Sequence, residues 1–136
     1  MTPRFAFIGL PVSDMAASLA FYRALGLDVP AGSDALPHVE VPLPDGPLLV
    51  LDTYATIRSF DPHWSPGTGG ATGSLAFACA GPAEVDKVYG ELVAAGYEGH
   101  LPPFDAFWGQ RYATVLGPDG HAVDLLAPLP TATPQG

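Results

Sequence analysis

The residues able to do chemistry in this chain are few and unevenly placed. His38 and Glu40 stand two apart in His38-Val-Glu-Val-Pro-Leu43, so an extended strand would point both to one face. Gln110, Tyr112 and Thr114 share a face by the same alternation, and Asp124 stands in the apolar run Ala122-Val-Asp-Leu-Leu-Ala127. A cavity lined by His38, Glu40, Tyr112 and Asp124 would combine an imidazole, a phenol and two acids. Asp124 and Glu40 are the candidates for acid and base, or the four could bind a ligand by hydrogen bonds alone. The plainer reading of Glu40 and Asp124 is an ordinary ion pair or a solvated strand face. Arg111 points away from Tyr112 and is expected to pair with a surface acid.

Aromatic residues cluster in two further stretches. Phe60-Asp-Pro-His-Trp64 and Phe104-Asp-Ala-Phe-Trp108 place Phe60, Trp64, Phe104, Phe107 and Trp108 where a cavity mouth would be. Such rings stack on a planar ligand with little loss of conformational entropy. They could equally cover an open sheet or line a dimer contact. The remaining candidates are weaker. His63, His100 and His121 lie on different elements without two-His helical spacing, and His63 and His121 read as solvated loop or turn residues. Cys79 has no second cysteine for a disulfide or a thiolate metal site, and in Ser74-Leu-Ala-Phe-Ala-Cys-Ala80 it reads as a small core residue.

Composition bounds what these residues can serve. A chain of 136 residues, 48% hydrophobic and 14% charged, suits one globular domain and excludes a large disordered or multidomain protein. Gly and Pro at 16 each call for short elements and many turns. Fourteen acidic against five basic residues give a charge of -9, which repels a phosphate backbone, so neither nucleic acid nor an acidic membrane surface is an expected partner. The first residues do not read as a signal peptide, and no run approaches the roughly 18 apolar residues of a membrane span. A cytoplasmic protein is the expectation.

The elements that must position the candidates come from an internal repeat. Arg4 to Val12 is apolar and strand-forming. Ser13 or Asp14 can cap the helix that follows, in which Met15, Leu19, Tyr22 and Leu25 form one stripe before Gly26 ends it. The second half repeats the plan with the strand Ser74 to Ala80, Pro82 and Glu84 at a helix start, the stripe Val85, Val88, Leu92 and Ala95, and Gly96. Pro44-Asp45-Gly46 and Pro118-Asp119-Gly120 then mark hairpin turns 74 positions apart, against 70 for the helix-ending glycines. The strands about them are His38 to Leu43 with Leu48 to Thr53, and Arg111 to Leu116 with Ala122 to Ala127. Each half reads β-α-β-β-β, with about four extra residues of the second half in Leu101 to Gln110, read as a loop. Such an α+β unit buries its helices on one side of a sheet and can curve the other around a cavity between halves.

Phe7-Ile-Gly-Leu-Pro-Val-Ser-Asp-Met-Ala-Ala-Ser-Leu-Ala-Phe-Tyr-Arg-Ala-Leu-Gly-Leu27, with Trp108-Gly-Gln-Arg-Tyr-Ala-Thr-Val-Leu-Gly-Pro-Asp-Gly-His-Ala-Val-Asp-Leu125, resembles the glyoxalase, bleomycin-resistance and extradiol-dioxygenase superfamily, the vicinal oxygen chelate proteins. The likeness spans roughly residues 3 to 128. It implies two βαβββ modules, at about 3–56 and 73–128 with a linker at 57–72, forming a curved mixed sheet with helices outside, commonly as a homodimer. Residues 129–136 read as a flexible tail.

Enzymes of that superfamily hold a divalent metal with His, Gln or Glu on the first and last strands of each module. The corresponding positions here are Phe7, Val50 or Leu51, about Ser74, and Asp124. One carboxylate is too few for a divalent metal, which needs three or four protein ligands, so no metal or other cofactor is expected. The resemblance implies a branch that binds aromatic ligands without metal, as drug-binding resistance proteins do. The first expectation is therefore a metal-independent protein sequestering an aromatic antibiotic-like molecule or secondary metabolite, the charge favouring a cation. The alternative is a glyoxalase-type lyase, isomerase or dioxygenase built around Asp124 and Glu40. A third reading is an interaction module with a packed interior.

Overall fold

Residues 5–67 and 74–130 are described by the structure, a computed structural model, and fall in two units, Met1–Gly69 and Gly70–Gly136. The first unit contains β1 (Phe7–Val12), α1 (Met15–Leu25), β2 (His38–Pro42), β3 (Leu48–Thr53) and α2 (Tyr54–Phe60). Its sheet has the order β1-β3-β2, with β1 parallel and β2 antiparallel to β3. Asp14 caps α1 by accepting from the Ala17 amide at 3.1 Å, and Gly26, at φ 106°, closes the helix in the left-handed region. Met15, Leu19 and Tyr22 are buried as the stripe requires, Phe21 joins them, and Leu25 is half-buried. On β2, Val39 and Val41 go into the core while His38 and Glu40 face outward.

This unit departs from the expected β-α-β-β-β plan by having one strand fewer. Leu27 to Pro37 forms turns and no strand. Pro30 and Pro37 have no N–H to give a ladder, and Gly32 sits at φ 75°. The sequence reading also missed α2, which occupies the start of the expected linker. Thr53 begins it by accepting from the Thr56 amide at 3.2 Å. The end of that linker lies outside the described residues.

The second unit keeps the full plan: β4 (Ser74–Ala78), α3 (Pro82–Ala94), β5 (Glu98–Asp105), β6 (Gln110–Leu116) and β7 (Ala122–Pro128), in the sheet order β4-β7-β6-β5. α3 packs on β5, β6 and β7. Pro82 starts it, and Glu84 turns back to accept from the Ala80 amide at 2.5 Å. Val85 and Leu92 are buried and Val88 half-buried, but Ala95 is exposed because it already caps the helix end.

Leu101 to Gln110 is only in part the expected loop. β5 runs on to Asp105, and its register shifts between Gly99 and Leu101 and again between Leu101 and Phe104. The extra residues are thus absorbed as irregularities of an edge strand, where Pro102 and Pro103 withhold no needed donor. Phe104 thereby pairs with Tyr112 and Asp105 with Arg111, leaving Ala106 to Gly109 as the turn. Leu129, the first residue of the expected tail, bonds through its amide to the Gly109 carbonyl at 3.0 Å; residues 131–136 lie outside the described residues.

Gly99 is the tightest point between β5 and α3. A Cβ there would stand 2.1 Å from the Tyr89 hydroxyl and 3.0 Å from Val93 Cγ2. Gly99→Val is expected to cost about 1–3 kcal/mol in urea unfolding, with part of the loss recovered when Tyr89→Ala is added. Equal stability of Gly99→Val and the parent would contradict this packing. Among the described residues no helix is long and apolar enough to cross a membrane.

Candidate functional site

Strand alternation divides the second sheet into two faces. Arg111, on the α3 side, bonds Asp86 of that helix at 2.9 Å and Asp105 at 3.0 Å, the pairing with surface acids expected of it. Tyr112 and Thr114 take the opposite face, with Thr114 directly across from Asp124 and Tyr112 across from Leu126. On this face Asp124 is the centre of a hydroxyl cluster. Its Oδ2 accepts from Ser74 at 2.9 Å and from the Tyr112 phenol, while its Oδ1 accepts from Thr114 at 2.7 Å. Thr114 and Asp124 are only 4% and 8% exposed. Burial first, then the hydrogen bond and charge of Asp124, push the Tyr112 phenol up to about 12. At neutral pH it is therefore a protonated donor.

Three rings extend from this cluster. Trp108 meets Tyr112 edge to face with centroids 5.3 Å apart, and Phe104 lies 6.2 Å from Trp108 and 6.1 Å from Tyr112. The Trp108 indole N–H donates to Gln110 Oε1 at 2.8 Å, which fixes the ring on the turn before β6. Trp108 is half exposed, and Phe107, packed on its edge at 5.0 Å, is 96% exposed. Phe104, Phe107, Trp108, Tyr112 and Asp124 are thus brought together in one unit.

The other candidates belong to the first unit and form separate groups. His38 Nδ1 lies 2.6 Å from Asp52 Oδ1, its partner across β2 and β3, and Nε2 lies 3.1 Å from Glu40 Oε2. The hydrogen bond to Glu40, then that to Asp52, raises the imidazole above its ordinary 6.5, since only the protonated ring can donate to both carboxylates. Trp64 packs on Tyr54 at 5.1 Å, with the Arg58 guanidinium 5.6 Å from the Trp64 ring and 5.9 Å from the Tyr54 ring. Phe60 ends α2 and is exposed.

His38 makes stability depend on pH with a definite sign. Its folded value is raised, so its contribution is whole below the unfolded 6.5 and is lost as pH rises through the higher folded value. Wild type is expected to lose more stability between pH 6 and 8, on the order of the ordinary histidine range, than His38→Gln does. Urea midpoints across that range read the difference, and parallel profiles would contradict the pairing. His121 opposes this trend equally in both proteins. It is half-buried and not solvated as expected, and burial lowers its imidazole below 6.5.

Sequence reasoning missed Ser74 and Thr114 as partners of Asp124, and Asp52 as the partner of His38. Alternation could place Thr114 beside Tyr112, but only the strand register puts it opposite Asp124. Cys79 is partly buried, and burial raises its thiol.

The family model of the Glyoxalase/Bleomycin resistance protein/Dioxygenase superfamily matches residues 4–125. The chain belongs to this superfamily. A glyoxalase/bleomycin resistance protein/dioxygenase from Nocardioides is similar at 27% identity and TM-score 0.77, over 100% of this chain and 90% of that one. A family enzyme from Burkholderia phytofirmans PsJN is similar in fold at TM-score 0.80 and 17% identity, over 91% and 98% of the two chains. The hypothetical protein SA1046 from S. aureus matches at TM-score 0.78 and 21% identity, over 93% and 94%. No curated protein matches the chain.

Superfamily membership invites the test of whether these residues fit a divalent metal. Phe7 pairs with Leu48 and Ser74 with Ala122, so Phe7 and Ser74 hold equivalent places in the repeat; so do Val50, beside Gly9, and Asp124, beside Ala76. Two of these four positions offer only carbon, and the other two, Ser74 and Asp124, bond to each other. That donor set does not fit a metal needing three or four ligands. Nor is any group of three or more His, Cys, Asp or Glu placed to hold one among the described residues.

Proposed function

We propose that this superfamily member is a metal-independent binding protein that sequesters a small aromatic molecule, antibiotic-like or a secondary metabolite. The observation that carries the reading is the wall of Phe104, Trp108 and Tyr112, with Trp108 bonded to Gln110 and Tyr112 to Asp124, left half open at Trp108. Rings fixed in this way present apolar area that a planar ligand can cover without first ordering it. The enzyme reading has less support. Enolisation or ring opening needs a base near neutrality and an electrophile. The Tyr112 phenol at about 12 is too weak an acid to supply a base, and Asp124 is already engaged by three hydroxyls.

Tryptophan fluorescence tests the proposal. In Trp64→Phe the emission comes from Trp108 alone, and a panel of planar aromatic antibiotics and glutathione adducts is titrated against it. Saturable quenching by a planar aromatic, without turnover, is the expected result. Turnover of a glutathione adduct, or no response to any member, would overturn it.

A further inference from the structure

The protons of the Asp124 cluster can be counted. A hydroxyl has one proton to give. At Ser74, Tyr112 and Thr114 that proton goes to Asp124, and the ionised carboxylate has none of its own. The cluster therefore has only lone pairs left to offer, on its hydroxyl oxygens and on the carboxylate. Ser74 is exposed and Tyr112 half-buried, so these are the oxygens a ligand reaches. The neighbouring rings of Phe104, Trp108 and Tyr112 carry negative π-faces, to which a cation is attracted, and the Trp108 N–H is spent on Gln110. Gln110 has N–H groups of its own, but at the Trp108 end of the wall. The unit's cations stand elsewhere: Arg111 is held by Asp86 and Asp105 on the α3 side, and Lys87 on α3 faces Glu91. Among the described residues no cation pairs with Asp124.

We infer that the ligand is an aromatic molecule carrying a protonated amine or amidinium, whose N–H groups are read by the Ser74 and Tyr112 oxygens, with the Asp124 carboxylate they both bond supplying the opposite charge, while its ring lies on Trp108. The inference rests on the binding proposal above and adds to it the polar half of the ligand. An anionic or acceptor-bearing aromatic is disfavoured, because at the Asp124 cluster it would face a carboxylate and hydroxyl lone pairs whose protons are already given away. A quaternary ammonium keeps the attraction to the rings and the carboxylate but loses the N–H contacts.

Four probes on one ring separate these terms: naphthylmethylammonium, its trimethylammonium analogue, methylnaphthalene and naphthoate, titrated calorimetrically on the whole chain. The primary ammonium is expected to bind about ten-fold or more tighter than methylnaphthalene, with the trimethyl analogue between them and naphthoate weakest. Tyr112→Phe keeps the ring and removes one acceptor, so the advantage of primary over trimethyl ammonium should shrink. Asp124→Asn should shrink the advantage over methylnaphthalene. Because the comparison is made first on the unaltered protein, it does not depend on how either variant folds. Equal or tighter binding of methylnaphthalene or naphthoate would overturn the inference and leave the aromatic wall standing; no binding by any probe would overturn both.

Discussion

Asp124→Ala is expected to cost about 2–4 kcal/mol of stability and to bring the Tyr112 phenol down toward its ordinary value. Three hydroxyls lose a charged acceptor at once. Bonds to charged groups are worth roughly 1.5–3 kcal/mol each, but removing the carboxylate also relieves the cost of keeping a charge in an 8% exposed residue. What remains is set by Thr114, 4% exposed, whose hydroxyl is left buried without its partner, whereas exposed Ser74 can turn to water. Asp124→Asn retains one acceptor oxygen and should lose about half as much. Ultraviolet titration of the phenol checks the same contact independently. It should fall from about 12 toward 10 without reaching it, since burial is the larger cause and survives the substitution. The sign carries into the parent protein. Raised from 10 to about 12, Tyr112 stabilises the fold fully below 10, and that stabilisation is lost as pH rises through 12. An unchanged phenol titration in Asp124→Ala would contradict the cluster.

Trp108→Ala is expected to weaken the aromatic ligand by about 2 kcal/mol, roughly 30-fold, while costing about 1 kcal/mol of stability or less. The asymmetry follows from its position. Trp108 is already half exposed, so the fold loses little, but it is the central ring of the wall, touching Phe104, Phe107 and Tyr112. Trp64→Ala provides the contrast. Trp64 leans on Tyr54 and on Arg58 of α2, so its loss should tell more on stability than on affinity. Calorimetry and urea unfolding of both variants separate the effects. A Trp108→Ala protein that binds as tightly as the parent would show that the aromatic wall is not the binding surface.

The repeat made most of the architecture readable. Two Pro-Asp-Gly turns and two helix-ending glycines, one close to the helix end and one a residue past the cap, locate the hairpins and helices within a residue or two. The failures were local and have local causes. Pro30, Gly32 and Pro37 remove a strand that the second unit retains, and α2 follows from a Thr53 cap in a stretch with no apolar stripe to announce it. β5 was hidden because its register shifts break the alternation by which a strand is recognised. Alternation did place Tyr112 apart from Arg111 and His38 beside Glu40, since a strand face needs only the parity of two positions. Partnerships across strands need the register as well, which is why Ser74, Thr114 and Asp52 came only with the structure. Asp124 and Ser74 show how little a position says alone: they stand where the resemblance would put metal ligands, but Ser74 donates to Asp124, and Asp124 accepts from Tyr112 and Thr114 as well.

The proposed binding of an aromatic molecule needs no metal. Thermal unfolding of chelator-treated protein tests it most directly, first with Mn, Ni, Zn or Fe alone and then with a panel of planar aromatic amines. A ligand at a hundred times its Kd stabilises the fold by about 2.7 kcal/mol, a shift of several degrees in a chain of this size. The expected result is such a shift with an aromatic amine and none with any metal. A shift with a metal, and with an aromatic only after that metal is restored, would contradict the claim.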